Sequence, residues 1–82
     1  MTRDRHIVYA VTIAGKHRVK HRVSDPLDHD AAIDTWHAFD DPRFLRAQRT
    51  CVNGQRVAFH VVRSADDAAW PANGPKRNPV IV

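Results

Sequence analysis

Two stretches near the start of the chain, residues 7–13 and 17–23, have the side-chain pattern of strands, with Gly15 between them. In the first, Ile7, Tyr9, Val11 and Ile13 would share one face and the smaller Val8, Ala10 and Thr12 the other, whereas apolar and polar residues alternate in the second. The first stretch is rich in β-branched side chains, and alternation with a period of two is typical of a half-buried strand. The start of the chain is therefore predicted to form a β-hairpin that turns near Gly15.

The length of the turn decides which side chains share a face of this hairpin. A two-residue loop, residues 15–16, would place Val11 opposite Lys20, whereas a three-residue loop, residues 14–16, would place Val11 opposite Val19. A shift of one residue moves every side chain of a strand to the other face. We predict the three-residue loop, because the shorter one would mix charged side chains with the core.

A helical pattern follows over residues 26–39. Asp25 is suited to cap the helix and Pro26 to occupy its first position. The residue before a proline disfavours helical backbone, so Asp41 is expected to end the helix. An apolar stripe along one side of it consists of Ala32, Ile33, Trp36 and Phe39.

A second hairpin is predicted from residues 44–51 and 56–62. The dipeptide Asn53-Gly54 is typical of a two-residue turn. A three-residue loop, residues 52–54, instead collects nearly all the large apolar side chains of the two strands on one face. We predict the three-residue loop for this reason.

Residues 1–65 are therefore predicted to form one domain of class α+β, a ββαββ two-layer sandwich with a four-stranded, largely antiparallel sheet and one helix on one face. Residues 66–82 lack periodicity, contain Pro and Gly, and are predicted to form an irregular tail in which Trp70 anchors to the core. Residues 80–82 are suited to an edge strand, to insertion into a partner, or to a frayed end.

Charge is segregated along the chain. All nine acidic residues are Asp, and six of them lie in residues 24–41, which hold no Lys or Arg. Residues 1–23 hold six Lys and Arg against one Asp, and residues 42–64 hold five and no acid. Because the acidic segment carries the helix and the basic segments carry the strands, the two sides of the domain are predicted to have opposite charge.

In the predicted registers, the sheet face away from the helix is basic. Outward strand positions are polar in any half-buried sheet, but a surface that serves only solubility carries both signs. Such cations favour contact with phosphates or with an acidic protein surface, although the predicted face lacks the aromatic residues that single-stranded RNA recognition uses, apart from Phe44 at its edge. The candidate partner- or phosphate-binding residues are Arg18, Lys20, Arg22, Arg46, Arg56 and His60.

The acidic helix has two interpretations. Asp residues near a helix start serve as caps and keep the surface soluble. The same carboxylates, spaced along one surface, are also suited to a basic protein groove, where they would imitate phosphates. The candidate acidic partner face consists of Asp28, Asp30, Asp34, Asp40 and Asp41.

Catalytic and metal chemistry is not indicated. His17 and His21 share a strand face but would lie about 13 Å apart, too far for one metal ion. There is no Gly-rich phosphate loop, and we predict no enzyme activity, no metal and no cofactor. Cys51 is the only cysteine and the N-terminal apolar run is short, so we expect a cytoplasmic protein without a membrane segment, either monomer or homodimer.

The order of a β-hairpin, a short helix and two strands joined through Val52-Asn53-Gly54 resembles that of some small phage-encoded anti-CRISPR proteins. The resemblance covers residues 7–63, and it implies a non-catalytic inhibitor that obstructs the nucleic-acid-binding surface of a larger complex. We therefore predict a small binding or inhibitor protein that docks on a protein–nucleic-acid complex through a charged face. The alternative is a module that binds DNA or RNA directly through the basic sheet face.

Overall fold

The computed structural model describes residues 4–41, 43 and 50–82 of the chain. Helix and antiparallel sheet combine as predicted, so the α+β class is confirmed. The elements are β1 (His6–Ala14), β2 (His17–Arg22), α1 (His29–Phe39), β3 (Thr50–Val52), β4 (Gln55–Ser64) and β5 (Val80–Ile81). Most of the predicted strand over residues 44–51 lies outside the described residues, and β3 begins at its end.

The sheet has the strand order β2-β1-β4-β3-β5, with antiparallel neighbours throughout. The two long strands, β1 and β4, pair at its centre, although they are separated by the helix in the chain. The short β5 adds a fifth strand to the predicted four, because Val80 pairs with Cys51 and Ile81 with Thr50. Of the three possibilities for residues 80–82, the structure shows the edge strand.

The first hairpin has a two-residue loop, so the predicted three-residue loop is wrong. Val11 lies opposite Lys20 and Ile13 opposite Arg18. Gly15, at the first central position, has φ 64°, whereas Lys16 has no positive φ. This is the pattern of a type II′ turn, whose twist matches that of the two strands and which requires glycine at that position.

The second hairpin also has a two-residue loop, which corrects the second predicted register. Cys51 pairs with Arg56 and Val52 with Gln55. Asn53 and Gly54 have φ values of 54° and 78°, the two positive angles that a type I′ turn requires. In both hairpins, the loop length is therefore the one that the glycine-containing turn favours, and not the one that would place apolar and charged side chains on separate faces.

A bulge in β4 then changes the face that its side chains occupy. Val11 of β1 pairs with Phe59, but the next residue, Thr12, pairs with Val57. Ala58 is therefore the extra residue of β4 at this point. Because a bulge interrupts the alternation, Val57 and His60 both face the helix although they are three residues apart.

The helix begins at His29 rather than at Pro26. Leu27 pairs with His6 in an isolated bridge, in which His6 N donates to Leu27 O over 2.7 Å and Leu27 N donates to His6 O over 2.8 Å. This pairing holds the chain extended up to Asp28, which is the N-cap. The end of the helix at Phe39 agrees with the prediction.

The hydrophobic core lies between the helix and one face of the sheet. Ala32 is fully buried, and Trp36 and Phe39 pack against the same cluster, which confirms three positions of the predicted stripe. Ile33, the fourth, is half-buried outside that cluster. Trp36 Nε1 donates to the backbone carbonyl oxygen of His60 over 2.9 Å, which ties the helix to β4. The buried cluster consists of Val8, Ala10, Val23, Ala32, Val52 and Val57.

The other face of the sheet is covered in part by the C-terminal segment, residues 65–79. Trp70 packs against Tyr9 with 5.0 Å between ring centroids, and Tyr9 has no exposed surface. Arg22 Nε donates to Gly74 O over 2.8 Å, and Arg77 N donates to Arg22 O over 2.8 Å. Trp70 is therefore an anchor, as predicted, but it packs on the face of the sheet opposite the helix and not on the helix-side core. Within the described residues, no helix is long and apolar enough to cross a membrane.

Candidate functional site

A cleft of about 480 Å³ opens on the sheet face opposite the helix. Its floor is apolar and comes from the two central strands, whereas its rim is basic. We call it the basic cleft, and it is lined by Val11, Arg18, Lys20, Phe59, Val61, Arg63 and Trp70.

The hairpin register creates this combination of floor and rim. Val11 lies between Lys20 on β2 and Phe59 on β4, so all three point to the same face of the sheet. Arg18, two residues before Lys20, shares that face. With the predicted register, Val11 would instead have pointed into the helix-side core, and no apolar floor would accompany the cations.

Trp70 forms a wall of the basic cleft and is held there by cations. Lys20 Nζ lies 4.5 Å from the centroid of the Trp70 ring, and the Arg63 guanidinium carbon lies 5.2 Å from it. Lys20 Nζ also donates to the backbone carbonyl oxygen of Ala69 over 3.0 Å. Cation–π contacts of this kind are worth about 0.5–1 kcal/mol at exposed sites, and they hold two positive charges against the ring.

The charged side chains that line the cleft are all basic, and Asp67 lies behind the Trp70 wall, where it accepts a hydrogen bond from Ala69 N over 3.0 Å. The lining residues of the cleft hold three cations and no acidic side chain within the described part of the chain, and Arg18, Lys20 and Arg63 are all exposed. Tyr9 lies beneath Trp70, and burial raises the pKa of its phenol. The phenol therefore stays protonated at neutral pH and adds no negative charge to the site.

Arg22, one of the predicted binding residues, is occupied in holding the C-terminal segment. Besides its bond to Gly74, its Nη1 donates to Ser24 O over 3.1 Å and lies 3.7 Å from Asp25 Oδ1. Its side chain is 16% exposed. Arg22 thus positions the segment that carries Trp70 and does not line the basic cleft.

His60 does not lie on the basic face, contrary to the prediction. The bulge at Ala58 turns it toward the helix, where its side chain is fully buried. Asp40 Oδ1 accepts a hydrogen bond from His60 N over 3.0 Å and lies 3.2 Å from His60 Nδ1. Burial lowers the pKa of His60 and outweighs the opposite effect of Asp40, so the ring is neutral at pH 7 and its Nδ1–H donates to the carboxylate.

The remaining predicted cations are not part of the cleft. Arg56 is exposed at the start of β4, opposite Cys51, and does not line the cleft. Arg46 lies outside the described residues. The structure therefore brings together Arg18 and Lys20 of the predicted set and adds Arg63, Phe59 and Trp70.

The predicted acidic face is divided by the fold. Asp40 is bound to His60, and Asp41 makes an ion pair with Arg43 in which Nη2 and Oδ2 are 2.8 Å apart. The hydrogen bonds from Arg43 lower the pKa of Asp41. Asp28 is the helix N-cap. Asp30 and Asp34 are exposed on the helix surface, on the side of the sheet opposite to the basic cleft.

Arg63, Phe59 and Trp70 were missed as site residues: Arg63 lies one residue beyond the predicted strand over residues 56–62, Phe59 was counted with the apolar face of its hairpin, and Trp70 was predicted only as an anchor. Phe59, Val61 and Arg63 alternate along β4, which is a usable signal that they share one face. The bulge at Ala58, which decides that this face is opposite the helix, has no comparable sequence signal.

Groups suited to a metal ion are absent from the residues that the structure describes: no three His, Cys, Asp or Glu side chains cluster there.

Comparison of the chain with protein-family models, with curated proteins and with solved structures gives no match. The basic cleft therefore has to be interpreted from its own chemistry.

Proposed function

We propose that this protein is a non-catalytic binding module that takes the phosphate backbone of a nucleic acid in the basic cleft. The observation that carries the proposal is the meeting of Arg18, Lys20 and Arg63 at one concave site whose described lining holds no acid. Arginine offers several donors in a planar fork that matches phosphate oxygens, and lysine adds a mobile point charge.

The arrangement also suits phosphate better than a carboxylate-rich protein surface. A protein–protein interface of standard size buries about 800 Å² on each partner, whereas these three cations are gathered around one cleft. The proposal places the protein in the cytoplasm, where a free thiol such as Cys51 stays reduced.

Salt dependence is the first test of this function. Three phosphate contacts to a single strand are expected to give a slope of about −2 for log K against log salt, so affinity falls about 20-fold between 50 and 200 mM salt. Reversal of two cleft charges, Arg18→Glu with Arg63→Glu, is expected to reduce the slope to about −0.7. Fluorescence anisotropy of a labelled oligonucleotide at several salt concentrations measures both.

A matched control separates the cleft from net charge. Arg5 and Lys16 are exposed and lie outside the cleft lining, so Arg5→Glu with Lys16→Glu makes the same change in net charge elsewhere. This variant is expected to retain most of the affinity and the slope. Equal losses in the two double variants, or no binding by the native protein at 50 mM salt, would contradict the proposal.

The second candidate is an inhibitor that docks on a protein–nucleic-acid complex through the acidic helix. The observation that favours it is the exposure of Asp30 and Asp34, away from the basic cleft. An inhibitor of this kind is expected to recover a basic partner from a host lysate and to lose it on Asp30→Lys with Asp34→Lys. Recovery that is unchanged in this variant, and lost in the Arg18→Glu, Arg63→Glu variant, would exclude the acidic helix as the contact.

A further inference from the structure

The basic cleft has an apolar interior that phosphate binding alone does not require. Phe59 and Val61 are half-buried and supply the apolar surface that a ligand can contact, whereas Val11 beside them is already buried, at 2% exposed. The cations of the rim are sufficient to bind a phosphate group. An apolar floor with an aromatic wall is instead the lining of a pocket that takes a planar, weakly polar group, with a few polar groups to orient it.

We infer that the ligand of the basic cleft is a single-stranded nucleic acid, one unpaired base of which enters the cleft while its flanking phosphates contact Arg18, Lys20 and Arg63. This inference rests on the proposed function and names the strand form that the site takes. Single strands are recognised by unstacked bases that pack on aromatic side chains or on arginine guanidinium planes. The cleft offers both kinds of surface, in Phe59, Trp70 and Arg63.

The size of the cleft favours this form of the ligand. Its volume of about 480 Å³ lies within the range of pockets that hold small organic groups. In a duplex the bases are stacked and paired, so only phosphates and groove edges are accessible, and reading them takes an element that projects into a groove. The cleft is concave, and a base can enter it only from a strand that is unpaired at that position.

The aromatic wall is held in place before any ligand arrives. Trp70 rests on Tyr9, and the segment around it is fixed at Ala69 by Lys20 and at Gly74 by Arg22. A base that packs against the wall does not have to order this segment, which reduces the entropic cost of binding. Lys20 and Arg63 lie against the ring in the free protein, so two positive charges already stand beside the space that the base would enter.

The test compares three labelled 12-mers at 50 mM salt: oligo-dT, a strand of abasic linkers with the same number of phosphates, and a duplex. We expect oligo-dT to bind at least about fivefold more tightly than the abasic strand, which is the lower range for one stacked base, and more tightly than the duplex. Trp36→Phe leaves Trp70 as the only tryptophan, and its fluorescence is expected to be quenched by oligo-dT and to be little changed by the abasic strand.

Phe59→Leu provides the variant, because it keeps an apolar floor and removes the ring. It is expected to lose affinity for oligo-dT by about fivefold and to bind the abasic strand as the native protein does. A general defect in folding would weaken both, so the abasic strand is the internal control.

The outcomes separate the two proposals. Equal affinity for all three probes would leave phosphate binding standing and overturn the single-strand inference, as would tighter binding of the duplex. Failure of all three probes to bind would overturn the proposed function together with the inference. Equal weakening of oligo-dT and abasic binding in Phe59→Leu would also contradict the placement of a base in the cleft.

Discussion

Trp70→Ala is expected to lower the free energy of unfolding by about 2–3 kcal/mol, somewhat below the cost of removing a fully buried aromatic ring, because Trp70 is half-buried. The ring covers Tyr9 and is itself covered by Lys20 and Arg63. Its removal exposes apolar surface on the sheet face that the helix cannot reach. In a domain of this size the change corresponds to a fall of about 15 °C in the melting temperature, which thermal unfolding followed by circular dichroism measures.

Trp70→Phe is the matched control, because it keeps an aromatic ring against Tyr9. It is expected to lose less than half as much stability as Trp70→Ala. A melting temperature for Trp70→Ala within about 2 °C of the native value would show that the C-terminal segment does not serve as a cover for the sheet. Because Trp70 also forms the wall of the basic cleft, binding measurements on these variants are made well below their melting temperatures.

Acid is expected to destabilise the fold through His60. Burial holds the pKa of this histidine below its ordinary value of about 6.5, so on acidification the unfolded chain takes up a proton before the folded one does. The stability that His60 contributes is complete above pH 6.5 and is lost as the pH falls from there to the folded pKa. Urea unfolding at a series of pH values between 7.5 and 5 is expected to show this loss.

His60→Gln removes the titrating group, so its loss of stability between pH 7.5 and 5 is expected to be smaller than that of the native protein. The pKa of His21 is also lowered, by burial and by Arg77, so some acid sensitivity remains in this variant. Parallel curves for the native protein and His60→Gln would exclude His60 as the source.

The elements of the fold were accessible to sequence reasoning because each carries a local signal. A run of β-branched and other apolar residues marks β1, alternation marks β4, and the stripe of Ala32, Trp36 and Phe39 marks the helix and the face that it buries. The start of the helix was less accessible. The bridge between His6 and Leu27 joins residues that are far apart in the chain, and it competes with the local capping signal at Asp25.

The hairpin registers were predicted wrongly for a physical reason that applies to small sheets in general. The prediction assumed that one face of each hairpin lies in water, so apolar and charged residues had to be separated onto different faces. Trp70 and its neighbours cover part of the second face, which allows Val11 to lie opposite Lys20 without exposure. Once that cover exists, the tighter turns at Gly15 and at Asn53-Gly54 are the better solution.

The sequence predicted that the candidate site is basic, but it did not predict which residues line it. Arg18 and Lys20 were assigned to the face opposite the helix, and both lie there. Arg22 was assigned as a phosphate ligand, whereas its guanidinium is used to hold Gly74 and Ser24. An arginine on the outer face of a strand has the same place in the sequence pattern whether it binds a ligand or anchors another part of the chain. Only the position of the C-terminal segment, residues 65–79, shows that Arg22 is an anchor.

The sequence by itself determined the class of fold, the place of the helix and the segregation of charge, because these follow from patterns within a few residues of each other. The tertiary structure alone decided that the basic face has an apolar floor and an aromatic wall. That combination depends on the bulge at Ala58 and on the packing of Trp70 over Tyr9. Trp70 is 61 positions after Tyr9 in the chain, and local periodicity carries no information about a contact of that range.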